Sequence, residues 1–140
     1  MTEKTIVRVN DVMTQGVKSI HGMKTVLDAI YMMRDEDVNS LIVDRRNDDD
    51  EVGMIVVSDI AKQVISVDRA PERINVYEIM TKPVLSVPAD MNIRYAARLL
   101  VQFDLSRALV IDAARDPIGL VTLKDMVIRC VTEDEKAHSH

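Results

Sequence analysis

Residues 9–20 (VNDVMTQGVKSI) and 76–87 (VYEIMTKPVLSV) are two versions of one phrase, with Met13 and Thr14 recurring 67 positions later as Met80 and Thr81. A second phrase, GMIVVSDI from Gly53, returns as GLVTLKDM from Gly119 at an offset of 66. The one-residue difference falls most simply near VNSLIVD at 38–44 against LSRALVID at 105–112. Self-similarity at such a period means that one supersecondary unit is built twice. Half of 140 residues is too little chain to bury a sheet alone, so the two units must pack together.

Each copy predicts the same order of elements, β-α-β-β-α. A short extended piece (VKSI; VLSV) leads into a turn and then a helix. In residues 25–36, Val26, Ala29, Ile30 and Met33 recur at the spacing of one helical face, and Thr25 with Asp28 has capping-box spacing. The second copy repeats the stripe with Ile93, Ala96, Ala97 and Leu100, and offers Asn92 as N-cap. Two β-prone runs follow in each copy, SLIV and VGMIVV, then RALVI and IGLVTL, joined by polar turns. SDIAKQVIS and KDMVIRCVT read as closing helices. The predicted fold is α/β (α+β), two β-α-β-β-α repeats related by a pseudo-two-fold axis. The first repeat spans 9–66, a polar linker 67–75, the second repeat 76–132 and a polar tail 133–140.

Composition narrows the function. Apolar residues are 47% of the chain, but aromatics are scarce, so the core rests on aliphatic side chains and nine methionines. A net charge of −5 without a basic stripe argues against nucleic acid. No apolar run approaches the roughly 20 residues that cross a bilayer, and no signal-peptide core precedes the first repeat, so a cytoplasmic protein is expected. Cys130 is alone, which excludes an internal disulfide or a cysteine pair for zinc, and no histidine partner marks it as catalytic. The acidic run 48–51 lacks the alternating oxygens and central glycine of a calcium loop and reads as a solvated hairpin tip. His21 sits in a turn without a second ligand, and His138 and His140 belong to the polar tail. Without a P-loop or catalytic motif the chain is not expected to be an enzyme, and no catalytic cofactor or metal is expected.

The repeated MT-x-x-V-x-S-[IV] opening, the helix, the LIVD-type strand and the G-x-x-T-x-x-D close together resemble a tandem pair of CBS domains, the arrangement called a Bateman module. The resemblance covers residues 9–131. It implies regulation: such pairs bind adenosine-bearing ligands (AMP, ADP, ATP or S-adenosylmethionine) in clefts between the copies and often associate as homodimers. With eight residues before Val9 and nine after Val131, the resemblance predicts a stand-alone module acting on an unidentified effector protein.

Carried onto this chain, the resemblance places adenine against Ser86, Val87 and Pro88, with Ala108 and Leu109 on the adjoining strand. Asp125 has the acceptors for a ribose diol. Thr122 stands at a strand-to-helix junction, where open N–H groups favour a phosphate. Arg107 can meet a phosphate bidentately, with Lys82 a further cation, and Arg115 bears on phosphate number. A plainer reading stays open: T-x-x-D is also a helix start, with Thr122 as N-cap, and Arg107 is then a solvated arginine. In the first copy Val56 replaces the threonine, Asp59 remains, and Ser58 reads as a helix cap. The counterpart of Arg107 is Asn39 or Ser40, according to where the gap falls. With Ile20 as the counterpart of Val87, this second site is expected to be the weaker. The alternative is a ligand-free dimeric scaffold whose clefts are vestigial.

Overall fold

The computed structural model describes residues 6–138, with side chains described through Thr132. His140 lies outside the described residues, as does the side chain of His138. The chain forms two compact units that cut across the linear repeats: residues 18–84 make one, and residues 1–17 with 85–140 make the other.

The unit of residues 18–84 holds a three-stranded sheet, order β2-β3-β4, from Ser19–Ile20, Ser40–Val43 and Gly53–Val56. Strand β2 is parallel to β3 and β3 is antiparallel to β4. Helix α2 (Val26–Glu36) covers it, burying Val26, Ala29 and Met33. The expected capping box closes its start: Thr25 Oγ1 accepts from the Asp28 N–H, and Asp28 returns a carboxylate to the Thr25 N–H, both at 3.1 Å. Val26, Ala29 and Met33 join Leu41, Val43, Ile55, Val64 and Val76 in one core.

The other unit carries four strands in the order β1-β7-β6-β5, from Thr14–Gln15, Pro117–Thr122, Arg107–Ile111 and Ser86–Pro88. Pro88 lies on the edge strand β5, where its missing N–H costs no ladder bond. Helix α4 (Ile93–Gln102) buries Ile93, Ala96 and Leu100, and Asn92 caps it by accepting from the Arg94 N–H at 2.9 Å. Val87, Val110, Val121 and Met126 complete this second core.

Each opening phrase is exchanged. Its front half serves the other repeat's sheet. The short helix α1 (Val9–Val12) and β1 come from the start of the chain, yet Val9 and Asn10 donate to the carbonyls of Met91 and Ala89, and β1 pairs with β7. Val76 and Tyr77 likewise donate to Lys24 and Gly22, while Thr81 exchanges both backbone bonds with Met54. The exchange explains the conserved spacing of both phrases within the chain: the glycine of each second phrase lies under the Met-Thr of an opening phrase. A Cβ on Gly119 would stand 2.5 Å from the Thr14 carbonyl, and one on Gly53 would stand 2.8 Å from the Met80 sulfur. Glycine permits that approach.

Four details differ from the sequence reading. The paired register keeps the offset at 67 through Val43 and Val110, so the extra residue lies in the first hairpin's turn and not in the strand. The closing helix of the first copy is α3 (Val57–Ile60) followed by π-helical residues Ala61–Ile65, whereas α5 runs from Leu123 to His138 into the stretch read as a polar tail. The linker is fastened at its end: Ile74 is buried in the core, and Asn75 Nδ2 donates to the Met23 carbonyl at 2.8 Å. The acidic run is not wholly solvated, because Asp50 is 9% exposed and paired with Arg46 and Lys82. Asp48, Asp49 and Glu51 do face solvent.

Candidate functional site

The β6–β7 ladder sets Arg107 directly opposite Thr122, and Leu109 opposite Leu120. Strand β5 adds Ser86 beside Leu109 and Pro88 beside Ile111. By strand alternation Ser86, Pro88, Arg107, Leu109 and Thr122 therefore share one face. Val87 and Ala108 belong to the opposite face and are buried in the core, so they offer a ligand only backbone groups. Ser86 and Pro88 are exposed, Arg107 and Thr122 are half-buried, and Leu109 is buried. Leu120, which the sequence reading does not nominate, lies on the same face; counting back by two from Thr122 finds it.

Thr122 ends β7 and starts α5. Its hydroxyl oxygen accepts from the Asp125 N–H at 3.1 Å, so the plainer helix-start role is physically present. That role uses the oxygen's lone pair and leaves its O–H available as a donor. The Leu123 N–H is occupied by the Ser106 carbonyl at 2.8 Å. The Lys124 N–H and the Thr122 hydroxyl stand at this helix start, with Arg107 directly across the ladder from Thr122. Among the described residues the half-buried Asp125 carboxylate has no hydrogen-bond or ion-pair partner, which keeps its acceptors open to a vicinal diol. Arg115 sits at the tip of the β6–β7 hairpin, at the opposite end from Arg107 and Thr122. Its position separates it from the start of α5.

Lys82 is engaged elsewhere. It pairs with Asp50 at 2.5 Å and is 20% exposed. Together Lys82 and Arg46 hold the Asp50 carboxyl far below the ordinary carboxylate range, the Lys82 hydrogen bond being the larger cause. Lys82 therefore fastens the first hairpin to the second opening phrase within the same unit.

The matching corner of the first copy has the same backbone and different chemistry. The Val57 N–H donates to the Asn39 carbonyl as Leu123 does to Ser106, and Ser40 stands opposite Val56. The register thus identifies Ser40, not Asn39, as the counterpart of Arg107. Val56 forms no side-chain cap. Ser58 lies inside α3 and does not cap it, contrary to the sequence reading, because the helix begins one residue earlier at Val57. Asp59 is half-buried, and Ile20 points into the core. Two functional groups of the α5 corner, a guanidinium and a junction hydroxyl, are missing here.

A family model described as "CBS domain" matches residues 9–66 and again 76–131. The chain belongs to the CBS domain family. This CBS pair is 27% identical over 121 residues to an uncharacterized protein of Methanopyrus kandleri, covering 86% of this chain and 61% of that relative's length. Among solved structures it resembles the hexameric CBS-CP12 protein from bloom-forming cyanobacteria, at 32% identity and a TM-score of 0.84, covering 89% of this chain and 68% of that one. It also resembles the CBS domain of a bacterial CNNM/CorC family Mg2+ transporter, solved in complex with ATP, at 25% identity and a TM-score of 0.73, covering 89% and 87%. Among the described residues no helix is long and apolar enough to cross a membrane.

Proposed function

We propose that this CBS pair is a regulatory module that binds an adenosine-bearing ligand of the AMP, ADP or ATP class, chiefly at the α5 corner, and adjusts a partner protein. The observation that carries the reading is the register pair Arg107–Thr122 beside the Asp125 carboxylate, which has no partner among the described residues. Guanidinium and hydroxyl meet phosphate, the carboxylate meets the ribose diol, and Ser86, Pro88 and Leu109 supply the flat, largely apolar strip against which a base can lie. The ATP complex of the transporter's CBS domain, a likeness at 25% identity, supports the ligand class and the idea of an effector that the module serves. The α3 corner, with Ser40 and Val56 in place of Arg107 and Thr122, is the weaker site. Regulation follows only if the ligand binds two arrangements of the module with different affinity.

A thermal-shift panel of AMP, ADP, ATP, NAD and S-adenosylmethionine tests this. A ligand at 100 times its dissociation constant adds about 2.7 kcal/mol of stability. Asp125→Ala removes that shift while the apo protein unfolds as before. A panel without any shift would favour the scaffold reading, in which Thr122 does no more than start its own helix.

A further inference from the structure

The α3 corner lacks the groups that meet a phosphate, yet it keeps polar groups of its own. Ile20, Leu41, Val43 and Ile55 turn into the core, so by alternation Ser19, Ser40, Ile42, Met54 and Val56 share the other face of that sheet. Among the described residues Ser40 is the only buried polar side chain, at 6% exposure. It makes no side-chain hydrogen bond there, and no fully enclosed side-chain oxygen or nitrogen is left without a partner. The Ser40 hydroxyl is therefore open at this face and not sealed in. Asp59, in the first turn of α3, is half-buried and likewise has no hydrogen-bond or ion-pair partner among the described residues.

A carboxylate with free acceptors suits a vicinal diol, and the buried Ile42 and Met54 supply an apolar strip for a flat ring. What is missing is everything that balances negative charge. Valine stands at the junction and serine opposite it, while Lys82, a cation of the same unit, is committed to Asp50. The α-helix also passes into π-helical residues after Ile60, so few aligned peptide dipoles stand behind its start. A phosphate held here would lose its hydration against valine, beside a carboxylate of the same sign.

We infer that Ser40 and Val56 set the α3 corner against phosphate, so that it takes an adenosine-type nucleoside whose 5′ end carries no negative charge. Asp59 accepts from the ribose diol, and the Ser40 hydroxyl serves a neutral polar group. The two corners then divide one family of ligands by a single phosphate, and the module compares the phosphorylated and unphosphorylated forms of a nucleoside. The inference rests on the adenosine reading of these corners, but not on the strength of binding at α5.

Calorimetric titration with adenosine and with AMP, which differ by that one phosphate, reads it. The titrations use Asp125→Ala protein, in which the α5 corner is disabled, or Asp125→Asn should the alanine variant fail to fold. Adenosine binds this protein, and AMP binds it at least about tenfold more weakly. Adding Asp59→Ala weakens adenosine at least about tenfold, and the near-isosteric Asp59→Asn weakens it by a smaller factor, with circular dichroism as the check on folding. Val56→Thr restores the junction hydroxyl and narrows the gap between AMP and adenosine. The inference is overturned if the Asp125 variant fails to bind adenosine, if it binds AMP as tightly as adenosine, or if adenosine binding survives the loss of Asp59. The wild type separates this from the nucleotide reading: if AMP binds it no more tightly than it binds the Asp125 variant, the α5 assignment falls and the present inference stands.

Discussion

The two strand-to-helix corners open on the same backbone turn and differ in two side chains and in the helix that follows. At the α5 corner a junction hydroxyl caps a helix that runs for 16 residues, and a guanidinium stands across the ladder. At the α3 corner valine takes the hydroxyl's place, serine takes the arginine's, and the α-helix passes into π-helical turns after four residues. The hairpin tips differ too. Asp112 folds its own turn by accepting from the N–H groups of Ala114 and Asp116, whereas Asp50 is tied by Arg46 and Lys82. One repeat carries polar groups at its corner; the other has its ion pairs in the hairpin. Duplication supplies the frame, and function is decided by the few positions that the frame leaves facing outward.

The glycines separate the two units most strongly. Gly119→Ala drives a methyl group against the Thr14 backbone at 2.5 Å, which only a strand shift relieves, and should cost about 3 kcal/mol by urea denaturation. Gly53→Ala meets the end of the Met80 side chain at 2.8 Å, which can swing aside, and should cost about 1 kcal/mol. Equal losses would break the comparison.

Exchanging the junction residues comes next. Thr122→Val removes the acceptor for the Asp125 N–H and should cost about 1 kcal/mol, with loss of any nucleotide-induced thermal shift. Val56→Thr supplies the missing N-cap acceptor to α3 and should add about 0.5 kcal/mol.

Least at neutral pH is the effect at the hairpin tip. Because folding lowers the Asp50 carboxyl below its ordinary value of 3.8, the stability it contributes is present above that value and lost as the pH falls toward the folded one. Asp50→Asn should therefore lower the melting temperature between pH 5 and 7, and the gap to the wild type should close as the pH drops below about 4.

Much of this was legible in the chain. Repetition, helical stripes, both caps at Thr25 and Asn92 and the T-x-x-D junction all act over short range, where spacing decides geometry. Pairing across the sheet was not. Only the ladder shows that Val87 and Ala108 turn inward, that Ser40 answers Arg107, and that the extra residue lies in a turn. The direction of Lys82 was hidden for the same reason: its partner, Asp50, lies 32 residues away, and no local rule joins them. The exchange of the opening phrases is also long-range, although each glycine that it requires stood in plain sight.

Calorimetric titration of the apo protein with ATP and with AMP tests the central claim most directly. One strong site per chain is predicted, abolished by Asp125→Ala and retained by Asp59→Ala. Two equivalent sites, or strong binding that survives Asp125→Ala and vanishes with Asp59→Ala, would contradict it.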